Sequence, residues 1–285
     1  MIDFKISSHA TSQIMTSGKG KSKAEKVADL ENEILSESEK LKALKENTKS
    51  HTNKLEKLTN LFAELKAAKQ LPDVPQLSET CVTYLENWVK QNLYGCKFDF
   101  DSDPTLKGLS VENDAIEYAA GALGWGFDVA KNEQRFYSDF VQGTPDILLN
   151  DLVVDIKCPE SPKTFPLFET ELPNKAYYWQ MQAYLHLTGF DSAQVVYCMM
   201  PTPDEMLRKK ARFKASNSVI TDNAIDFDIE FDRIYERLRD ENDFSNLLPK
   251  YRVKVFEVKR NDSDIAAIIE RVKQCRQYIE QHLTV

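Results

Sequence analysis

The sequence predicts an α/β fold in which helices flank a small sheet, and three observations carry that reading. Segments of helical periodicity alternate with short apolar or alternating runs that suit strands. The stretch Gly143-Thr-Pro-Asp146-Ile-Leu-Leu-Asn-Asp-Leu-Val-Val-Asp155-Ile-Lys157-Cys-Pro159 reads as two apolar strands joined by a two-residue turn at Asn150-Asp151. A Glu-, Lys-, Leu- and Ala-rich stretch over about 24–69, free of Gly and Pro, adds a long helical insertion near the N-terminus. The chain has 285 residues, 42% hydrophobic and 29% charged, enough to bury a full core. Length alone permits one or two domains; the expectation is one, over 1–285, with a helical hairpin or coiled-coil insertion at 20–70.

In chain order, residues 1–16 give an extended start and then Ser7-Ser8-His9-Ala-Thr11, where a hydroxyl can cap a short helix. Gly18-Lys-Gly-Lys-Ser-Lys is a basic break. In the insertion, Val27, Leu30, Ile34, Leu41, Leu44, Leu55, Leu58, Phe62 and Leu65 keep one heptad register that Glu37, Thr48 and His51 interrupt. This is one long helix, or two helices broken near Asn47–Asn53, forming either a hairpin packed on the body or a coiled-coil arm. Pro72 and Pro75 end it. Ser78 caps a helix running to about Asn92, and a loop with Asp101–Pro104 precedes a helix from near Ser110 that carries Glu112. After the hairpin come an aromatic helix over Asn174–Leu187, a buried strand over Ala193–Met200 and a charged helix over Asp226–Asp240. An alternating strand over Tyr251–Lys259 and an amphipathic helix over Ser263–His282 close the chain.

Chemistry concentrates in the hairpin. With the turn at Asn150-Asp151, Leu149 faces Leu152, Ile147 faces Val154 and Asp146 faces Asp155. Two carboxylates then stand about 4.5–5.5 Å apart at Cβ, which is destabilising for like charges. Lys157, two residues beyond Asp155, projects from the same face. A cation between the acids removes the conflict, so the pattern reads as a metal site with a lysine beside it. Cutting a phosphodiester needs an attacking water and stabilisation of charge on the leaving oxygen, and one or two Mg²⁺ (or Mn²⁺) ions held by carboxylates supply both. Asp146 and Asp155 are two ligands, the Ile156 carbonyl a third, and Glu112 the extra carboxylate. Lys157 would orient or deprotonate the water, or place positive charge at the phosphate. An Asp-x-Lys triplet alone is most often a surface ion pair. Glu257-Val-Lys259 and Glu64-Leu-Lys66 have the same form, but neither has an acid placed to face it across a tight turn.

Composition narrows the alternatives. The net charge of −8 argues against a protein that coats nucleic acid, though not against a nuclease whose lysines line a groove. Five cysteines, at 81, 96, 158, 198 and 275, form no CxxC pair or zinc spacing and read as reduced thiols of a cytosolic protein. No long apolar run suggests a signal peptide or membrane span.

Four blocks in order resemble the signature of the YqaJ-type viral recombinase nucleases, relatives of the phage lambda exonuclease within the PD-(D/E)xK superfamily. They are Gly143-Thr-Pro-Asp146, Asp155-Ile-Lys157-Cys-Pro159, Tyr177-Tyr-Trp-Gln180-Met-Gln182-Ala-Tyr184 and Thr188-Gly189. The likeness runs from about Leu77 to Met200, with a fainter echo at Ile6–Met15. It implies a restriction-endonuclease-like core and Mg²⁺-dependent digestion of double-stranded DNA in a bacterial or phage-infected cytoplasm. By position Glu112, Asp146 and Asp155 match the metal carboxylates and Lys157 the catalytic lysine. Gln180 and Tyr184 match the family's Gln-x-x-x-Tyr helix beside the active site; Gln180 is a catalytic candidate, and Tyr184 and Gln182 on the same helix are DNA-binding candidates. Lys5, Ser7 and Ser8 fall where the family binds backbone phosphate, against a plain helix cap. Asp155 stands where many relatives have Glu, and the 24–69 segment is long for the family.

Other residues have ordinary readings. Trp179 and Tyr178 suit core or wall better than base stacking, His186 is structural, and His9, His51 and His282 suggest no metal site. Lys163 could touch phosphate, as could any of the 37 Lys and Arg. The leading functional expectation is an exonuclease for linear duplex DNA, 5′→3′, working with a strand-annealing protein, with a ring-shaped homotrimer preferred over a monomer with an open cleft. The rivals are an endonuclease or nickase of the same fold, and a catalytically silent DNA-binding or assembly subunit.

Overall fold

The computed structural model describes residues 3–16, 23–44, 46, 48–70, 77–98, 102–126, 129–218 and 224–283. The basic break from Gly18, Pro72, Pro75 and Asp101 lie outside them. A two-residue strand, β1 (Ile6–Ser7), passes through a 3-10 turn (Ser8–Ala10) into the short helix α1 (Thr11–Ile14). The insertion is two helices, α2 (Lys23–Lys42) and α3 (Lys49–Gln70), packed against each other. This is the two-helix alternative: α2 ends at Lys42 and α3 begins at Lys49, so the break starts a few residues early and overlaps the expected Asn47–Asn53, and the seam departs from a single heptad register. Ile34, Leu58 and Leu61 form its core, whereas Leu55 and Phe62 stay exposed.

Helix α4 (Glu79–Tyr94) starts where Ser78 Oγ accepts from the Cys81 amide at 3.0 Å and stops at Gly95, whose φ of 65° suits glycine. Helix α5 (Asp103–Leu123) begins seven residues before the expected Ser110, because Pro104 sits in its first turn, where no amide donor is needed. The short strands β2 (Phe136–Tyr137) and β3 (Val141–Gly143) join β1 in a three-stranded sheet ordered β1-β3-β2.

The hairpin follows as β4 (Ile147–Leu149) and β5 (Leu152–Lys157), in the register expected: Leu149 opposite Leu152 and Ile147 opposite Val154. Asn150 takes a positive φ of 50° at the turn, which asparagine tolerates. Helix α6 (Lys175–Thr188) crosses to β6 (Ser192–Cys198), which pairs parallel to β5. Next come α7 (Asp204–Ser218), absent from the sequence reading, and α8 (Ala224–Glu241). Strand β7 (Val253–Lys259) completes a mixed sheet ordered β4-β5-β6-β7, and α9 (Asp262–His282) ends the fold.

Alternation along the strands divides the core. Val154, Ile156, Val196 and Cys198 pack on α5 through Val111, Ala115 and Ala119. Val153, Val195, Tyr197 and Phe256 pack on α6 through Met181, Tyr184 and Leu185. Each fully buried aliphatic side chain contributes roughly 1.5–3 kcal/mol. Asp155 and Lys157 share the α6 face with Val153, so two charges stand at the end of an otherwise apolar row. A third cluster, with Phe4, Ile14, Leu85, Ile268 and Val272, ties α1 and α4 to α9. Among the described residues no helix is long and apolar enough to cross a membrane.

Candidate active site

At the end of the sheet where β5 finishes and β4 begins, a cavity of about 680 Å³ is lined by Glu112, Asp146, Asp155, Ile156, Lys157, Gln180 and Tyr184. Hydrophobic alternation places the pair: burying Val153 and Val154 on opposite faces leaves Asp155 directed at α6. Asp155 is 1% exposed. Its Oδ2 lies 2.7 Å from Lys157 Nζ, and its Oδ1 accepts from Gln180 Nε2 at 2.8 Å. The same amide donates to the Tyr184 hydroxyl at 3.3 Å, so Gln180 and Tyr184, one helical turn apart, act from one face of α6. Lys157 Nζ also sits 4.6 Å from the centre of the Tyr177 ring.

Asp146 lies just outside the β4–β5 ladder, and its Oδ2 accepts from the Ile156 amide at 2.8 Å. On a strand a residue's N–H and C=O point to the same edge, so the Ile156 carbonyl also faces the Asp146 side. Asn132 holds this corner: its amide group donates to the Pro145 carbonyl at 2.9 Å, and its backbone N–H donates to the Asp146 carbonyl at 2.7 Å. Gly143 is required by close approach. A Cβ there would meet Ser8 Oγ at 2.3 Å and Tyr184 Cε1 at 2.8 Å, while Tyr184 donates to the Thr144 carbonyl at 3.0 Å.

The electrostatics are strained toward missing positive charge. Burial, then the Asp155 charge, pushes the Asp146 carboxyl up to about 7, against the pull of Lys157 and the Ile156 amide. Burial also raises Asp155, with Glu112 adding to it and Lys157 opposing. Burial alone would discharge Lys157, but the Asp155 charge and hydrogen bond outweigh it and raise its pKa, so it is an ammonium at neutral pH. Burial pushes the Cys158 thiol up to about 12, which leaves it protonated and unsuited as a nucleophile.

Two buried acids whose pKa values are raised, Asp146 in part by the Asp155 charge, are relieved by a hard dication, and an all-oxygen donor set suits Mg²⁺ or Mn²⁺. Among the described residues, no three His, Cys, Asp or Glu side chains are gathered tightly enough to form a shell by themselves. Glu112 is held by Lys131 instead. A bound ion would draw on Asp146, Asp155, the Ile156 carbonyl and water, with Glu112 reached by displacing Lys131.

Not every expected residue belongs here. Gln182 is completely buried, and both ends of its amide are used: Nε2 donates to the Lys259 carbonyl at 2.7 Å, and Oε1 accepts from the Asn261 amide at 2.9 Å. It joins α6 to the β7–α9 corner and cannot meet DNA there. Ser8 also faces inward, donating to the Gln142 carbonyl at 3.1 Å with 1% exposure, so its hydroxyl serves neither as a cap nor as an open phosphate donor. Lys5 is half-buried, 3.9 Å from Asp3. Conversely, His9 lines the cavity, its pKa lowered by burial and by the charges of Lys157 and Arg135. Its place in the Ile6–Met15 block was the available signal. Lys107, buried on α5, donates to the Pro159 and Glu160 carbonyls at 2.9 and 3.0 Å and pins the loop after Lys157; nothing in its sequence context marked it.

No protein-family model and no curated protein sequence matches this chain. Solved structures of similar fold include two exonucleases. One is a phage-related exonuclease from Haemophilus somnus 129PT, 21% identical, with a TM-score of 0.62 over 99% of this chain and 96% of that one. The other is an alkaline exonuclease from Laribacter hongkongensis, 14% identical, with a TM-score of 0.52 over 97% of this chain and 88% of that one. The likeness read from four motifs between Leu77 and Met200 therefore extends, as a likeness of fold, over nearly the whole chain.

Proposed function

We propose that this protein is a Mg²⁺- or Mn²⁺-dependent deoxyribonuclease with a restriction-endonuclease-like core, digesting linear double-stranded DNA from an end in the 5′→3′ direction during recombination or DNA processing. The observation that carries the reading is the convergence of Asp146, Asp155, Lys157, Gln180 and Glu112 on one cavity at the sheet end. Asp146 and Asp155 would hold the ion with the Ile156 carbonyl, and Glu112 would join on leaving Lys131. When bound, the ion supplies Lewis-acid stabilisation of charge at the scissile phosphate and activation of water.

The chain's own groups do the rest. Lys157, kept protonated by Asp155, carries positive charge to the phosphate and orients the attacking water; its raised pKa makes it a poor base. Gln180 fixes the Asp155 carboxylate through Oδ1, leaving Oδ2 toward Lys157. Tyr184 and Asn132 hold the Thr144–Asp146 backbone, so the Asp146 carboxylate is set before substrate arrives.

We extend the proposal to assembly. A chain of charge −8 must bring its basic residues together to hold a polyanion, and a closed homotrimer makes such a tunnel from identical subunits. A single-strand-annealing protein would receive the product. Linear duplex labelled at its 5′ or 3′ end, with a closed circular plasmid alongside and chelator as control, tests this. The expected result is metal-dependent loss of linear DNA with the 5′ label released first, while circles survive; sedimentation counts the subunits. Rapid cutting of closed circles by a monomer would replace the exonuclease reading with the endonuclease one.

A further inference from the structure

Beside the active-site cavity lies a second one of about 780 Å³, between α7 on one side and the start of α5 with Ser161-Pro162 on the other. Glu160 lines both cavities, so they adjoin. Helix α7 buries Leu207, Ala211 and Ala215 with α8 and turns Lys209, Lys210, Phe213 and Lys214 toward the groove. Phe213 is 70% exposed, one of several large apolar side chains at the surface, and it lines this groove among the lysines of α7. The helix pair is also segregated by charge. Helix α7 carries five basic residues against two acidic, and α8 seven acidic against three basic. Both helices border the groove: α7 supplies its lysines and Phe213, while the end of α8 adds Leu238 and Glu241. Arg208 is committed elsewhere, to Asp204 and the Tyr235 ring, and Lys107 to backbone carbonyls.

We propose that this groove binds single-stranded DNA next to the scissile end, with Lys209, Lys210 and Lys214 meeting phosphates and Phe213 stacking on a base. The inference rests on the nuclease reading for its place in the reaction. An aromatic platform beside positive charge suits a single strand, whose base faces are free, whereas a duplex hides them. Asp103 and Glu241 also line the groove, and Lys210 lies 3.8 Å from Glu160, so an arriving phosphate must displace that ion pair. The acids keep the groove from holding polyanions indiscriminately, and the aromatic contact then selects unstacked bases.

The test is anisotropy of labelled oligo(dT) in chelator, where cleavage is silent, together with hydrolysis of bis(p-nitrophenyl) phosphate, too small to reach the groove. The triple variant Lys209→Ala/Lys210→Ala/Lys214→Ala should weaken oligo(dT) binding by about tenfold or more. It should also make the log affinity–log salt slope shallower by about two, at ~0.7 per phosphate contact. Phe213→Ala should weaken binding by roughly fivefold or more and Phe213→Trp restore it. Blunt-duplex binding and hydrolysis of the small ester should hardly change, and Lys273→Ala on α9 serves as the remote control. Unchanged oligo(dT) affinity in both α7 variants overturns the proposal. So does equal loss for blunt duplex, or a change of oligomeric state in Phe213→Ala with affinity intact. If the wild type hydrolyses neither DNA nor the ester, the nuclease reading fails, while the binding arm still decides the groove.

Discussion

Among the described residues two carboxylates, Glu37 and Asp155, are almost fully buried, and they sit in opposite electrostatic worlds. Glu37, 5% exposed in the α2–α3 seam, is ringed by Lys54 at 2.5 Å, Lys40 at 3.0 Å and Lys57 at 3.6 Å. Hydrogen bonds from Lys54 and Lys40 bring its carboxyl down to about 2. Asp155, 1% exposed at the sheet end, shares one ammonium, Lys157, with Asp146 and faces Glu112, and its carboxyl is pushed up. One acid has three cations; two acids have one. The seam satisfies its charge and so reads as structural, whereas the sheet end leaves charge unmet and so reads as functional. Burial of an acid alone does not mark a site; the sign of the surrounding imbalance does.

The strongest way to break this contrast is to neutralise the acid at the sheet end. Asp155→Asn should reduce cleavage by about 10³-fold or more, the scale of losing a group that acts directly on the transition state. Yet the melting temperature of the metal-free protein should be unchanged or higher, because a repulsive pair is removed and Asp146 can ionise against Lys157. Calorimetry in chelator and a cleavage assay read the two effects. An Asp155→Asn protein that cuts at the wild-type rate, or that is markedly less stable, would remove the distinction drawn here.

A smaller effect sharpens it. Lys157→Ala should lower cleavage by roughly 10²-fold or more. Lys259→Ala, in the look-alike Glu257-Val-Lys259, should leave turnover near wild type, since Lys259 Nζ only donates to Ser192 Oγ at 3.0 Å on an exposed surface. Equal losses in both would mean that the facing-acid geometry is not what distinguishes the triplets.

How far the sequence could be read follows from which forces are local. Hairpin register is set by a two-residue turn and period-two burial, so the pairing of β4 with β5 was legible to the residue. Helix α7 escaped because its buried stripe is Leu207 with two alanines inside a strongly basic run, a weak periodic signal. Pro104 disguised the start of α5 as a loop. Gln182 and Gln180 sit two apart on one helix, and only the tertiary packing turns Gln180 to Asp155 and Gln182 to the β7–α9 corner. Glu37 read as a flaw in a heptad, because its three lysines come from both helices of the hairpin, and a single heptad register does not record which residues face each other across it. His9 and Lys107 join the site through contacts that no local spacing records.

The smallest predicted effect uses pH to separate the two regions within one molecule. Glu37 is depressed in the folded state, so its stabilisation is complete above the ordinary glutamate pKa near 4.5 and is lost as pH falls toward 2. Asp146 is raised to about 7 from 3.8, so the metal-free folded state holds a proton that the unfolded chain has released. Its ionisation therefore costs stability progressively from about pH 4 through 7, with a slope of at most about 1.4 kcal/mol per pH unit. In chelator, the stability gained by Asp146→Asn should grow between pH 5 and pH 8 and level off above the raised pKa. The stability lost by Glu37→Gln should instead be flat across that range and shrink only in stronger acid, with cleavage untouched throughout. Denaturant unfolding of the three proteins at a series of pH values decides it. Parallel pH profiles for the two variants would show that both buried acids are balanced alike, and the electrostatic ground for placing chemistry at Asp146 and Asp155 would be gone.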